Sequence, residues 1–232
     1  MKKMFHHDHA STDGNIIEEI ILGGQDGVVN VLGVVLGIAT ATTDAKIVLI
    51  AGIAVTFAES ISMAAVAYTS QKAAKQYFES QLLREKKEIE ETPEIEKQEI
   101  REIFEKKGFK GKDLDKVVEI ITSNKEVWLN VMMSDELNLG SYKEKDPKRA
   151  AIIVGLAAFF GSLFPITPFF FTDAQTGIIY SFILSIGILF LAGAVKAKYT
   201  IGNWLKNGLE MAAIGTIAAI AGYIIGLLLQ GI

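Results

Sequence analysis

Five stretches of the chain are long and apolar enough to cross a lipid bilayer, and one long stretch between them is not. A crossing helix needs about 20 consecutive apolar residues. Ile20–Ala41, Ile47–Tyr68, Ala150–Phe171, Gly177–Val195 and Leu209–Leu229 each approach or exceed that length. The first is rich in glycine and carries Asp26, the second carries Glu59, the third contains Pro165 and Pro168, and the fifth has Glu210 at its start. Between spans two and three, residues 71–148 are strongly charged and recur in helical period. "QKAAKQYFESQLLREKKEIEE" consists of good helix formers and continues span two without a break. Thr92-Pro93 stops it, because proline disfavours helix at the residue before it and suits the first turn of the next helix. "EIEKQEIREIFEKKGF" is a second helix that ends near Gly108, and "DLDKVVEIITSNKEVWLNVMMSDELNL" a third with a break expected near Ser123-Asn124. Ile95, Ile100, Ile103 and Phe104, then Leu114, Val117, Val118 and Ile121, form apolar stripes that close a small bundle.

The expected fold is therefore all-α: a polytopic membrane protein with five transmembrane helices and a cytoplasmic three-helix insert. Its parts are a flexible cytoplasmic tail (1–15), spans one and two (16–70), a helical metal-binding domain (71–148) and spans three to five (149–232). The opening "MKKMFHHDHASTDGN" has no apolar core and does not read as a signal peptide. Pro165 and Pro168 should kink span three, and the carbonyls they free either serve the structure or line a cavity. "GVVLG" (Gly33, Gly37) and "GYIIG" (Gly222, Gly226) allow close helix contact, within one chain or between two.

Composition and charge sharpen this picture. Half of the 232 residues are hydrophobic while 22% are charged, so the two kinds are segregated along the chain. There is no cysteine, which excludes a disulfide framework and thiolate metal ligation. The net charge of −4 argues against nucleic acid as a partner. Of the 23 lysines and arginines, 16 lie in residues 71–148, and Lys2, Lys3, Arg149, Lys196, Lys198 and Lys206 flank the same side. The positive-inside bias puts the N-terminus and the insert in the cytoplasm and the C-terminus across the membrane.

The candidate chemistry is carboxylate and thioether. An ionised group near the bilayer centre costs at least about 2.5 kcal/mol, so Asp26 and Glu59 read as functional unless a structural partner satisfies them, such as a neighbouring Ser, Thr or Asn. Met63 lies one turn after Glu59, and Glu19 two turns before Asp26. In the insert, Glu85 and Glu88 are three apart, as are Glu96, Glu99 and Glu102. Like charges at that spacing repel. They mark either a solvated face, since 18 acids meet 16 bases in this block, or a cation site. Met132, Met133 and Glu136 fall at helical spacing. Carboxylates suit first-row divalent cations and a thioether selects against Mg²⁺ and Ca²⁺, while the bland alternative makes the methionines core filler. His6, His7 and His9 could bind metal but stand in the tail.

These motifs together resemble the vacuolar iron transporter family, which includes the yeast calcium-cross-complementer-type and the plant transporters. The resemblance runs from about residue 16 through nearly the whole chain. It rests on "EEIILGGQDGVVN", "SISMAAVAY", the glutamate-rich insert and "MMSDEL". It implies a homodimer of five-span subunits that exports Fe²⁺, with Mn²⁺ as a further candidate ion, from the cytoplasm in exchange for protons. Such a protein is not an enzyme and needs no cofactor. The resemblance places Glu19, Asp26 and Met63 in the transport pathway, with Glu59 added from the residues. It makes Glu85, Glu88, Glu96, Glu99, Met132, Met133 and Glu136 metal-binding, and spacing adds Glu102. Family members often carry a glutamate about eight residues before the span-two methionine. Val55 stands there, so either Glu59 substitutes from a shifted depth or this divergent chain handles the ion differently. The host membrane would be the cell membrane in a prokaryote and a vacuolar-type membrane in a eukaryote. Two rivals remain at this stage: a membrane-anchored metal-buffering protein without transport, and a scaffold whose charged faces are merely solvated.

Overall fold

The structure, a computed structural model, describes residues 10–140, 145–199 and 202–230, with side chains described from Ile16 onward. His6, His7 and His9 lie outside the described residues. Every regular element among the described residues is helical: α1 (Ala10–Ala41), α2 (Ala45–Glu91), α3 (Pro93–Lys106), α4 (Gly111–Thr122), α5 (Lys125–Val131), α6 (Pro147–Ile166), α7 (Ala174–Tyr199) and α8 (Trp204–Leu229). Five of these are long and apolar enough to span a membrane, within Ile16–Ala41, Ala45–Glu91, Pro147–Phe170, Ala174–Tyr199 and Trp204–Leu229. The backbone of α1 is helical from Ala10, six residues into the stretch expected to be a flexible tail. No proline stands there to stop it.

The chain divides into two compact units, one of residues 1–69 and 147–232, the other of residues 70–146. In the first, α1 packs against α6, α7 and α8. Its buried face, Val31, Leu32, Val35, Leu36 and Ala39, follows helical period and meets Val48, Ile166, Phe169 and Ala219. Glycine makes these approaches possible. A Cβ on Gly222 would strike the Gly33 carbonyl, one on Gly226 the Gly37 carbonyl, and one on Gly27 the Ala158 carbonyl. The two small-residue motifs thus pair with each other inside one chain. In span three, Pro165 lies within α6 and a 3₁₀ turn follows at Thr167–Phe170. Carbonyls around the break are taken by hydroxyls: Thr167 Oγ1 donates to Leu163 O (2.7 Å), Ser181 Oγ to Pro165 O (2.7 Å) and Thr172 Oγ1 to Pro168 O (2.9 Å). These bonds hold the residues of the break to α6 and α7.

In the second unit, the end of α2 and helices α3, α4 and α5 surround Ile89, Ile100, Leu114, Val118, Ile121, Trp128 and Met132. The helix expected third is broken where its sequence suggested. Asn124 caps α5 by accepting from Glu126 N and Val127 N through its side-chain oxygen. Gly108, at φ +100°, ends α3 in a left-handed turn. Gly108 N donates to Glu105 O and Phe109 N to Phe104 O, and the Phe104 and Phe109 rings meet edge-on at 5.6 Å, the Schellman pattern.

The glycine contact between α1 and α8 sets a stability test. Gly222→Leu should destabilise the protein by about 1–3 kcal/mol or more, because backbone rather than a flexible side chain must give way. Gly187 has open space around it, so Gly187→Ala should be neutral or slightly stabilising. Thermal melts in detergent compare the two.

Candidate intramembrane and glutamate metal sites

Two groups of carboxylates stand out, one in each unit. In the membrane-type unit, α1 carries Asp26 and α2 carries Glu59, and the helices bring them into side-chain hydrogen-bonding reach of each other. Asn30 completes the group. Its Nδ2 donates to Glu59 Oε1 at 2.9 Å, and it also reaches Asp26. Asp26 and Asn30 are i,i+4 on α1 and so share a face. Asp26 and Glu59 are half-buried and Asn30 is exposed within the chain. Val55 packs against the apolar core, whereas Glu59, one turn on, turns to Asn30. Met63 is half-buried one turn beyond Glu59. Glu19 is buried on α1, about 10 Å along the axis from Asp26 at 1.5 Å per residue.

In the helical unit, ligand oxygens of Glu85, Glu88 and Glu96 lie within 4.8 Å of one another, and so do those of Glu96, Glu99 and Glu136. Glu96 belongs to both triads. Glu85 is 1% exposed and Glu96 4%, and the two are in hydrogen-bonding reach. Even so, Glu85 Oε1 and Glu96 Oε2 have no hydrogen-bond partner. Buried carboxylate oxygens normally find donors. A pair left open beside further carboxylates fits a divalent cation, which offers oxygen ligands what a donor would. Arg84 moderates the charge from one side, its Nε lying 3.5 Å from Glu88 Oε2. Glu102 is exposed, accepts from Gln98 Nε2 at 3.3 Å, and stands in neither triad.

The "MMSDEL" segment is not an α-helix. Met132–Glu136 form a π turn, with Leu137 N donating to Met132 O. The wider turn changes which side chains share a face, so the α-helical spacing used to group the three residues does not apply. Met132 is fully buried in the apolar cluster, where it acts as core, and Met133 is buried beside it in sequence. Glu136 joins a carboxylate triad with Glu96 and Glu99. Lys107 steadies the turn: its Nζ is 2.6 Å from Asp135 Oδ1 and sits over the Phe104 ring. Asn30 is the residue that sequence reasoning missed. Its signal was available, as a polar side chain four residues after Asp26 in an apolar span.

Crowding perturbs the insert's acids. Burial, the hydrogen bond with Glu96, and the charges of Glu136, Glu96 and Glu88 push the Glu85 carboxyl up to about 8. Burial and then Glu136, Glu96, Glu88 and Glu102 raise Glu99. Burial and Glu96 raise Glu136 while Arg84 opposes them. A raised folded-state value means that unfolding releases a proton across the interval between the ordinary value and about 8. Metal-free stability is then greatest below the ordinary range, falls as pH rises through that interval, and levels off above it. With Trp204 replaced by phenylalanine, Trp128 fluorescence should report a lower unfolding midpoint at pH 8 than at pH 5. Mn²⁺ should raise the midpoint at pH 8. Glu85→Gln should flatten the pH dependence and weaken the Mn²⁺ effect.

A family model described as the VIT family matches residues 17–227. The chain is 31% identical to vacuolar iron transporter 1 of Arabidopsis thaliana, over 97% of this chain and 90% of that protein. It is 32% identical to vacuolar iron transporter 1 of Eucalyptus grandis, over 94% and 88%. Against the vacuolar iron transporter of Plasmodium falciparum it is 32% identical, over 97% and 86%.

Proposed function

The chain belongs to the VIT family, and from that premise we propose that it exports Fe²⁺ from the cytoplasm in exchange for protons. The observation that carries the proposal is the meeting of Asp26, Asn30 and Glu59 on two membrane-type helices. Two carboxylates cannot both stay ionised in a site of low dielectric without a countercharge. A divalent cation supplies that charge in one state, and protons supply it in the other. Alternation between the two is the simplest exchange chemistry. Met63 adds a soft donor one turn away, and Glu19 an acid nearer the cytoplasmic end. Glu59 serves in place of the glutamate that Val55 replaces.

The helical unit collects the ion. Glu85, Glu88, Glu96, Glu99 and Glu136 form its oxygen cage, Glu102 lies at its margin, and Met132 and Met133, which precede Glu136 in the chain, are its candidate soft donors. The unpartnered oxygens of Glu85 and Glu96 favour this reading over a solvated face. Oxygen donors accept Mn²⁺ as readily as Fe²⁺, so Mn²⁺ is a second cargo. A metal buffer without transport would have no use for Asp26 and Glu59 on spanning helices.

Lysine and arginine placement orients the N-terminus and residues 70–146 to the cytoplasm. The working protein is a homodimer. One chain leaves Asn30 exposed and Asp26 and Glu59 half-exposed, and a polar face of that kind is costly against lipid. A second copy covers it. Its function is that of a transporter rather than an enzyme, and no cofactor enters the cycle.

Anaerobic Fe²⁺ uptake into proteoliposomes tests this. An imposed pH gradient of the correct sign should accelerate uptake, and Asp26→Ala should reduce it at least ten-fold. Uptake that ignores the gradient, or survives Asp26→Ala, overturns the proposal.

A further inference from the structure

We propose that Asn30 is a positioning residue of the intramembrane site, an amide clamp that holds Asp26 of α1 and Glu59 of α2 together as one divalent-cation subsite. The inference rests on the transport reading above and deepens it.

A primary amide has two N–H donors and one carbonyl acceptor. Asn30 Nδ2 uses one donor on Glu59 Oε1 at 2.9 Å, and the side chain also reaches Asp26. Asn30 therefore bridges two acids that stand 33 residues apart in sequence and on different helices. Without a bridge, two carboxylates facing each other would separate, each toward its own water or cation. The clamp opposes that separation and keeps oxygens of both acids on one ion.

The amide is suited to this because it is neutral. A lysine or arginine would hold the carboxylates equally well, but its charge would replace the cation that the site has to admit and release. A serine would reach one carboxylate and leave the other. Thr56 and Ser60, two hydroxyls on α2 close to Glu59 in sequence, are turned to their own helix. They donate to Gly52 O at 2.9 Å and Thr56 O at 2.6 Å.

Within one chain, the groove that Asn30 also lines brings it no competing charge or donor. This groove, of about 500 Å³, runs between α1 and α8, lined near Asn30 by Val29, Gly33, Ala218 and Gly222. None of these carries a charge or a side-chain donor. Asn30 is exposed within one chain, so changing it removes no packing inside that chain and should leave the fold of the subunit intact. That separates a positioning role from a structural one.

Fe²⁺ uptake into proteoliposomes, measured against Fe²⁺ concentration, tests the inference on the full chain. Asn30→Ala should raise KM about ten-fold, the size expected for losing a hydrogen bond to a charged group, while its melting temperature stays at the wild-type value. Asn30→Gln, which restores an amide in the same groove, should recover most of the lost affinity. A wild-type KM in Asn30→Ala, alongside the loss of uptake in Asp26→Ala, overturns the clamp and leaves the transport reading standing. A raised KM that Asn30→Gln does not improve, or that accompanies a lower melting temperature, also overturns it, since bulk packing then explains the effect. Wild-type vesicles with no uptake remove both.

Discussion

Carboxylates held close to one another and away from water are the constraint on which both units depend. Like charges repel and desolvation penalises each one, so a fold that brings acids together without enough bases works against itself unless protons or cations are supplied. In the helical unit this shows in the raised Glu85, Glu99 and Glu136 carboxyls. In the membrane-type unit it shows in the amide placed between Asp26 and Glu59. The two solutions differ. The insert concentrates five acids in two triads that share Glu96 and accepts a pH-dependent penalty. The spanning helices bring two acids, Asp26 and Glu59, together and add a neutral donor.

The rest of the fold makes these placements tolerable. Glycines bring α1 against α6 and α8 at backbone contact, so α1 is held firmly by apolar neighbours on its buried face. Its polar face is then free to carry Asp26 and Asn30 without the helix needing those residues for packing. In the insert the apolar cluster around Ile100 and Trp128 does the same work. The cluster and the Lys107–Asp135 pair hold the π turn, and the turn presents Glu136 to Glu96 and Glu99. π turns interrupt a helix at some energetic cost and recur at functional sites, which agrees with this one ending on a triad member.

Much of this was readable from residue order, for reasons that differ by element. The spanning helices were legible because a bilayer imposes a length and an apolar content that little else in a protein imitates. The breaks at Thr92-Pro93 and Ser123-Asn124 were legible because proline geometry and asparagine capping act locally. The partner of the "GVVLG" motif was not, since small-residue spacing states that a close contact exists without saying with which helix. Grouping Met132 with Glu136 relied on α-helical spacing, and a π turn is not signalled by composition. An asparagine partner for the intramembrane acids was among the readings, but residue order does not say which polar side chain of α1 faces Glu59, so Asn30 was not singled out.

The proposed use of Glu59 places the acid one turn along α2 from Val55. A glutamate at Val55 would stand one turn away, where the side chain now joins the apolar core with Ile166 and Phe169. Moving the acid by one turn keeps it on a similar face of α2, since residues four apart lie one above the other. It changes depth by about 6 Å, at 1.5 Å per residue. On α1, Asn30 lies one turn from Asp26, so a donor was available to meet an acid shifted by a comparable distance. The displaced glutamate and the asparagine thus make sense together. The hydrogen bond from Asn30 gives an acid at the depth of Glu59 a partner on α1, where Val55 has only the apolar core.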